Sequence, residues 1–248
     1  MLAEVTSISR LTGDIVSVWL KPEALPVKPR PGQFYGIKIP DRPDLLLRRP
    51  FSIADVRNRQ LRFVFRIVGK GTAILAKSKA GDRWDIIGPL GKPPPLFRNR
   101  NLLLCAGGVG IAPLLYLGRI LSRSNRITLV AGTRGAEELI LIEDFRQLKV
   151  RVYITTEDGS RGTKGRVTDL VPRLLGQLSR PVIYACGPAP MLAKLQELAG
   201  TIPVWGFLEQ RMGCGTGICY CCGIEKIEGG YLRLCKEGPV VPLNRVKL

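Results

Sequence analysis

The period of the hydrophobic positions changes near residue 98. Before it, short alternating or β-branched stretches are separated by proline and glycine turns, which is typical of a small antiparallel barrel. A short helix is predicted over 72–79, after a Gly-x-Gly-Thr turn. The predicted strands read EVTSISRL, DIVSVWL, GQFYGIKI, the stretch around LLLRRPFSIADV, and QLRFVFRIV.

After residue 98, apolar strands alternate with helices. This alternation predicts a parallel, doubly wound sheet that binds a nucleotide at the carboxyl ends of its strands. The proline run 93–95 cannot continue a central strand, so it marks a linker. The predicted strands read NLLLCA, RITLVAG, VRVYITT, PVIYAC and PVWGFLE, with helices at 111–121, 137–148, 168–178 and 189–198.

We therefore expect a multi-domain protein of the β plus α/β class with three parts. They are an antiparallel β-barrel at 1–98, a doubly wound parallel-sheet domain at 99–208 and a small C-terminal lobe at 209–248. The lobe is rich in glycine and lacks core-forming periodicity, as expected of a segment organised around a metal cluster.

Four cysteines of the lobe add candidate chemistry to this picture. Cys214, Cys219, Cys222 and Cys235 follow the pattern Cys-x4-Cys-x2-Cys with a more distant fourth cysteine. This is the plant-type spacing of thiolate ligands around a [2Fe–2S] cluster. The glycines among them would let the backbone wrap tightly and aim its N–H groups at the sulfur atoms.

Two other interpretations of the cysteines stay open. A structural zinc site also takes four thiolates, but it usually has two short Cys-x2-Cys knuckles, and here there is only one. A disulfide framework suits small secreted chains, whereas this chain has 248 residues, an odd seven cysteines and no leader-like N-terminus. Cys221 lies beside a predicted ligand and has no assigned role.

Composition narrows the function further. The absence of histidine excludes a Rieske centre and a histidine general base, so the chemistry must come largely from cofactors. The net charge of +18 is spread along the chain, without a basic tail or aromatic interleaving, and we expect no nucleic-acid partner. No apolar run approaches the length of a membrane span, so we expect no membrane contact and a cytoplasmic location.

Two motifs in the barrel region could bind a flavin dinucleotide. Arg49-Pro50-Phe51-Ser52 offers a cation for a diphosphate, a stiff turn, an aromatic ring and a hydroxyl at a strand end. Gly69-Lys70-Gly71-Thr72 opens a helix whose first N–H groups could face a pyrophosphate. Taken singly, these could be a charged strand end before a core phenylalanine and an ordinary capped glycine turn.

Two further motifs lie in the α/β region. Gly107-Gly108-Val109-Gly110 joins an apolar strand to a helix, the context of a phosphate-binding turn, although it departs from Gly-x-Gly-x-x-Gly. The alternative is a tight turn that only packs helix on sheet. Cys186-Gly187-Pro188 ends a later strand of the same sheet, and a buried structural cysteine is the alternative for Cys186 and the preferred interpretation of Cys105.

In this order the motifs resemble the ferredoxin reductase superfamily. The C-terminal cysteine pattern, followed by Cys-Lys-x-Gly-Pro-Val, resembles the electron transfer subunits of class 1B dihydroorotate dehydrogenases, and the resemblance covers essentially the whole chain. It implies that FAD is held by Arg49 to Ser52, by Val64, Phe65 and Arg66, and by Gly71 and Thr72. It also implies that the four cysteines carry the cluster.

The resemblance further implies an electron relay. A partner subunit with FMN would oxidise dihydroorotate, and electrons would pass through the [2Fe–2S] cluster and FAD to NAD+, typically in a heterotetramer of two plus two subunits. The main alternative is the flavin and iron–sulfur subunit of NAD(P)H-dependent ferredoxin oxidoreductases or cytosolic hydrogenases. A third is a zinc-stapled module without a redox role.

The preference for NAD or NADP stays open at this stage. Glu157 and Asp158 are candidates for the ribose hydroxyl of NAD, because an acidic side chain can accept its hydrogen bond. Arg134 and Arg161 could equally meet the 2′-phosphate of NADP.

Overall fold

A computed structural model describes all residues, 1–248. The N-terminal part is a closed antiparallel barrel with strand order β1-β2-β5-β4-β3-β6. Its strands are β1 (Leu2–Arg10), β2 (Ile15–Pro22), β3 (Phe34–Ile37), β4 (Arg49–Arg57), β5 (Gln60–Arg66) and β6 (Arg83–Leu90), and helix α1 (Lys70–Leu75) lies between the last two.

The barrel forms because alternate positions of its strands are apolar and face inward. The core includes Val18, Leu20, Phe63 and the ring of Trp84, all fully or almost fully buried. β6 is the strand that the pattern did not predict, since charged Arg83 and Asp85 interrupt its apolar positions. It closes the barrel by pairing with β1 and β3.

The second part is a seven-stranded sheet with order β10-β9-β8-β7-β11-β12-β15. All neighbours are parallel except the last pair, in which β15 runs antiparallel to β12. The strands are β7 (Asn101–Gly107), β8 (Arg126–Thr133), β9 (Arg151–Thr156), β10 (Thr163–Lys164), β11 (Pro181–Cys186), β12 (Val204–Phe207) and β15 (Val240–Pro242).

Helices cover both faces of this sheet, which confirms the predicted fold class. One face packs against α2 (Ile111–Leu121) and α3 (Ile142–Gln147), and the other against α4 (Val167–Leu175) and α5 (Ala189–Ala199). The predicted helix at 137–148 is instead a 3-10 turn, Ala136–Glu138, followed by α3. The break lies at Leu141, whose φ of +59° is left-handed and cannot continue a helix.

The C-terminal segment is less separate than its composition suggested. Its own small elements are the hairpin β13 (Gly223–Glu225) and β14 (Tyr231–Arg233) and helix α6 (Leu234–Glu237), and β15 then joins the large sheet. Ile224, Leu234 and Val241 share one core with Leu103 and Ile183 of that sheet. The segment is thus built onto the α/β domain.

The barrel and the sheet meet along α2. Ile15, Ala54 and Val64 of the barrel belong to the same core as the inner side of α2, and the buried Tyr116 hydroxyl donates to the Pro29 carbonyl at 2.8 Å. Ion pairs also cross this boundary. Asp55 of β4 receives two hydrogen bonds from Arg119 of α2, at 2.8 and 2.9 Å.

No helix in the chain is both long and apolar enough to span a bilayer.

Candidate functional site

The glycine turn after β7 packs directly on the end of β11. A Cβ on Gly110 would overlap the Cys186 carbonyl, and a Cβ on Gly107 would lie 2.9 Å from the Pro188 ring. The backbone of the turn can approach this closely only because those positions lack side chains. The structure therefore brings together the two sequence motifs of the α/β domain, Gly107-Gly108-Val109-Gly110 and Cys186-Gly187-Pro188.

A cleft of about 730 Å³ opens beside these two motifs, at the carboxyl ends of the parallel strands. Both motifs line it, together with cationic Arg134, Arg166 and Lys194 and acidic Glu138 and Glu157. This is the position and charge expected of a dinucleotide site in a doubly wound sheet, because cations can meet phosphates and carboxylates can meet ribose hydroxyls.

Cys186 lines this cleft and is buried. Burial raises the pKa of its thiol well above the usual range, and the nearby Glu209 carboxylate raises the pKa further. The thiol is therefore neutral at physiological pH. Cys105 is also fully buried, with its pKa raised to about 12, and it lies in the sheet core away from the cleft, as a structural cysteine would.

The structure separates the four residues considered for NAD or NADP preference. Glu157 and Arg134 line the cleft, whereas Asp158 and Arg161 do not. Asp158 accepts hydrogen bonds from the hydroxyl and the N–H of Ser160, and these bonds lower the pKa of its carboxyl. Arg166 also lines the cleft. The sequence did not predict this, because the position of Arg166 depends on the turn that precedes α4.

In the barrel, the Arg49 side chain reaches the start of α1. A Cβ on Gly71 would lie 3.3 Å from Arg49 Nε and 3.2 Å from Ile39, so glycine leaves room for the guanidinium beside the helix backbone. The Thr72 hydroxyl accepts from the N–H groups of Val68 and Gly69, at 3.0 and 3.2 Å, and caps the turn. The two barrel motifs are therefore adjacent in space.

The position of the Phe51 ring matches the core alternative that the sequence left open for this motif. Only 7% of the residue is exposed, and the ring packs edge-on against Phe65 with centroids 5.0 Å apart. Phe51 therefore belongs to the barrel core, while Pro50 and Ser52, on the opposite side of the strand, are more exposed. Ser52 is the residue of the motif that offers an accessible hydroxyl.

Arg66 connects the barrel motifs to the cleft, because it lies at the end of β5 and lines the cleft. Its guanidinium pairs with Asp14 of the barrel at 3.3 Å and with Glu138 of the α/β domain at 3.4 Å. Val64 and Phe65, which precede it, are largely buried.

The four cysteines of the C-terminal segment form two pairs. The Cys214 N–H donates to Cys219 Sγ at 3.4 Å and the Cys219 N–H to Cys214 Sγ at 3.5 Å. In the second pair, the Cys235 N–H donates to Cys222 Sγ at 3.4 Å. Nowhere in the chain do three or more cysteine, aspartate or glutamate side chains converge on a point suited to one metal ion.

Backbone donors concentrate on the first cysteine. Cys214 Sγ also accepts from the N–H groups of Thr216 and Ile218, both at 3.4 Å. Hydrogen bonding from Thr216, followed by the backbone donors, lowers the pKa of the Cys214 thiol to about 5. Burial and the neighbouring Cys222 raise the pKa of Cys235 to about 12. The Cys214 thiol is therefore already suited to ionise to a thiolate.

These features fit a two-iron cluster. A [2Fe–2S] cluster takes two cysteines on each iron, and hydrogen bonds to sulfur help set its potential. Two cysteine pairs joined by N–H···S bonds match that ligand set. Cys221 is exposed and receives none of these bonds.

One neighbour of the cysteine loop, Arg233, has no counterpart in the sequence-predicted site. Its Nη1 donates to the Gly217 carbonyl at 2.9 Å, and its guanidinium lies over the Tyr220 ring. Nothing in the local sequence signals this contact, because it joins positions 13 and 16 residues apart.

Two family models match the chain. The oxidoreductase NAD-binding domain covers residues 104–197, and the iron-sulfur cluster binding domain of dihydroorotate dehydrogenase B covers residues 209–247. A chain of the NADH-dependent reduced ferredoxin-NADP oxidoreductase has the same fold, with a TM-score of 0.90 and 31% identity over 100% of this chain and 90% of that chain. The fold and site thus define an oxidoreductase of the ferredoxin reductase class with a C-terminal iron–sulfur domain.

Whole-length relatives narrow this class. The electron transfer subunit of dihydroorotate dehydrogenase B (NAD+) from Shouchella clausii strain KSM-K16 is 37% identical, over 100% of this chain and 96% of its own length. The one from Geobacillus thermodenitrificans strain NG80-2 is 38% identical, over 100% and 95%. The chain belongs to this family of dihydroorotate dehydrogenase B electron transfer subunits.

Proposed function

We propose that the protein is the electron transfer subunit of an NAD-dependent dihydroorotate dehydrogenase in pyrimidine biosynthesis. It relays electrons from the FMN of a catalytic partner subunit, through a [2Fe–2S] cluster and FAD, to NAD+. The paired cysteines with their N–H···S bonds carry this proposal, because they supply the ligand set of a two-iron cluster in a chain that also has a dinucleotide cleft. The protein's own residues bind and orient the cofactors, which supply the redox chemistry.

The barrel would hold FAD with residues of both its motifs. Arg49 lies beside Gly71, where it can pair with a diphosphate, and Thr72 stiffens the turn from which α1 begins. Ser52 can bond the polar edge of the flavin. Val64, Phe65 and Arg66 would complete the site at the end of β5, while Phe51 supports it from the core.

The cleft of the α/β domain would hold NAD. The turn at 107–110 would approach the pyrophosphate, and Arg134, Arg166 and Lys194 supply positive charge. Glu157 is one of the acidic side chains of the cleft and can accept a bond from a ribose hydroxyl, which favours NAD over NADP. The neutral Cys186 thiol and Glu209 also line the cleft.

The partner is the FMN-containing catalytic subunit, and we propose an assembly of two plus two subunits in the cytoplasm. The relatives are electron transfer subunits of dihydroorotate dehydrogenase B, which supports a catalytic partner for this chain. The stoichiometry follows from the family resemblance.

A second candidate function is the flavin and iron–sulfur subunit of an NAD(P)H-dependent ferredoxin oxidoreductase. The observation that favours it is the TM-score of 0.90 to the ferredoxin-NADP oxidoreductase chain. The higher identity of the dihydroorotate dehydrogenase relatives and the match over 209–247 favour the first function.

The test begins with the anaerobically purified protein. We expect bound FAD, about two irons and two sulfides per chain, and no stoichiometric zinc. After co-expression with an FMN-containing dihydroorotate dehydrogenase subunit, the complex should reduce NAD+ at the expense of dihydroorotate. A loaded protein that does not co-purify with that subunit, and that instead couples NADH to ferredoxin, would establish the second function.

A further inference from the structure

The cysteine loop between β12 and β13 has little support of its own. No helix or strand lies between Leu208 and Cys222, and Cys214 and Cys219 are exposed. Ile218 and Tyr220 show 81% and 56% of their surface to solvent. Apart from Met212, which packs on the sheet core, and the N–H···S bonds within the loop, the shape of the loop depends on side chains from outside it.

Arg233, at the end of β14, contacts both stretches between the first three ligand cysteines. Its Nη1 donates at 2.9 Å to the carbonyl of Gly217, which lies between the first and second cysteine. Its guanidinium carbon lies 4.9 Å from the centroid of the Tyr220 ring, and Tyr220 lies between the second and third. A planar, charged group can make both contacts at once, whereas an ammonium group cannot.

Arg233 also bonds to Glu237, which follows the fourth cysteine in the sequence. Its backbone N–H donates to Glu237 Oε2 at 2.8 Å, and its Nε lies 3.4 Å from the same oxygen. Cys235 lies midway between these two residues in the sequence. Arg233 therefore contacts the chain between the first three cysteines and, through Glu237, the helix that carries the fourth.

Tyr220 shows why such support is needed. Its φ of +58° lies in the left-handed region, which residues with a Cβ avoid unless their surroundings hold them there. Tyr220 is largely exposed, and the Arg233 guanidinium stacks against its ring. The other cation of this face, Lys236, packs its stem against Gly217 without a hydrogen bond to the loop.

We propose that Arg233 is the positioning residue of the iron–sulfur loop, and that its fixed charge raises the reduction potential of the cluster. This inference rests on the proposed function, because it requires the cluster to be present. Adding an electron to a thiolate-ligated cluster adds negative charge, which a nearby guanidinium stabilises. Without Arg233, the reduced state loses that stabilisation and the loop loses its two contacts.

The test is a redox titration of the holoprotein, followed by electron paramagnetic resonance of the reduced cluster. In Arg233→Gln we expect the reduction equilibrium to fall about tenfold, which is a midpoint lower by about 59 mV for one electron. The matched control is Arg245→Gln, which removes the same charge from an exposed pair with Glu228 in the same segment. The control should keep the wild-type potential.

The rate of iron loss distinguishes the positioning role of Arg233 from the effect of its charge. We expect a chelator to remove iron several-fold faster from Arg233→Lys than from wild type or Arg245→Gln, because lysine keeps the charge but not both contacts. This variant also carries the test if Arg233→Gln assembles no cluster.

Equal potentials in Arg233→Gln and Arg245→Gln would overturn the electrostatic role. Wild-type iron loss from Arg233→Lys would overturn the positioning role. A wild-type protein without iron and sulfide would instead overturn the proposed function itself.

Discussion

Single positions decide how closely the two halves of the nucleotide cleft approach each other. At Gly110 the backbone of the turn touches the last residue of β11, and no atom fits between them. The sequence identified this glycine from its place between a strand and a helix. What it touches became known only from the sheet order, which puts β11 next to β7.

We expect Gly110→Ala to weaken NADH binding at least tenfold and to lower the melting temperature, because the new methyl group must push the turn away from Cys186. Gly13→Ala is the control, since a Cβ there meets nothing within 4 Å. Isothermal titration with NADH and a thermal melt check both. Equal affinity in the two variants would mean that the turn tolerates displacement.

A second prediction at this scale concerns the adjacent cysteines 221 and 222. Cys222 is buried and accepts the Cys235 N–H, whereas Cys221 is exposed and unbonded. We therefore expect Cys222→Ser to lose most of its iron and Cys221→Ser to keep about two irons per chain. Iron and sulfide analysis of the two variants decides this, and the reverse pattern would reassign the ligand.

At the scale of the elements, β6 has weak alternation of apolar residues, and contacts with distant segments stabilise it. Arg48, in the loop before β4, donates to the Asp85 carbonyl at 2.8 Å and to its carboxylate at 2.6 Å. The N-terminal amino group lies 3.7 Å from the same carboxylate. These contacts come from segments distant in sequence, so the alternation of β6 could not reveal them.

The Asp85 contacts predict a pH dependence. The hydrogen bond from Arg48 lowers the pKa of Asp85, so its carboxylate stabilises the fold above the unfolded pKa of about 4. That contribution is lost as the pH falls through the lowered pKa. Asp85→Asn should therefore be less stable than wild type at pH 7, and the two should converge below pH of about 4.

Urea unfolding at several pH values measures this difference. Asp41→Asn is the control, because Asp41 is exposed and makes no ion pair or side-chain hydrogen bond in the structure. If the difference in unfolding free energy between Asp85→Asn and wild type stayed constant from pH 7 to acid, the charge of the Asp85 carboxylate would not be its cause.

At the scale of the whole molecule, the packing of the barrel against the seven-stranded sheet sets how the two domains are joined. Four ion pairs cross the boundary: Asp55–Arg119, Arg57–Asp144, Arg62–Asp144 and Arg66–Glu138. The Asp55 side chain is fully buried and also bonds Arg57 at 2.8 Å. Because β4 carries the proposed flavin motif and α2 begins at the proposed nucleotide turn, the first of these pairs links the two proposed binding sites.

We expect Arg119→Leu to destabilise the protein by about 3 kcal/mol, since it leaves a buried carboxylate with one partner fewer. The exposed pair of Arg83 with Glu23 is the control, and Arg83→Leu should cost less than about 1 kcal/mol. Denaturant unfolding compares the two variants. A loss in Arg119→Leu no larger than in the control would contradict a stabilising role of the Asp55–Arg119 pair.

The sequence by itself determined the class of fold, the order of the modules and the candidate ligands. Three features are local: the strand alternation, the strand-to-helix glycine turn and the cysteine spacing. Local features can be recognised directly in a sequence. Tertiary structure alone decided that Phe51 lies in the core, that β15 joins the large sheet and that Arg233 meets the cysteine loop. These contacts join residues far apart in sequence, and which of them form depends on how the closed barrel and the seven-stranded sheet pack.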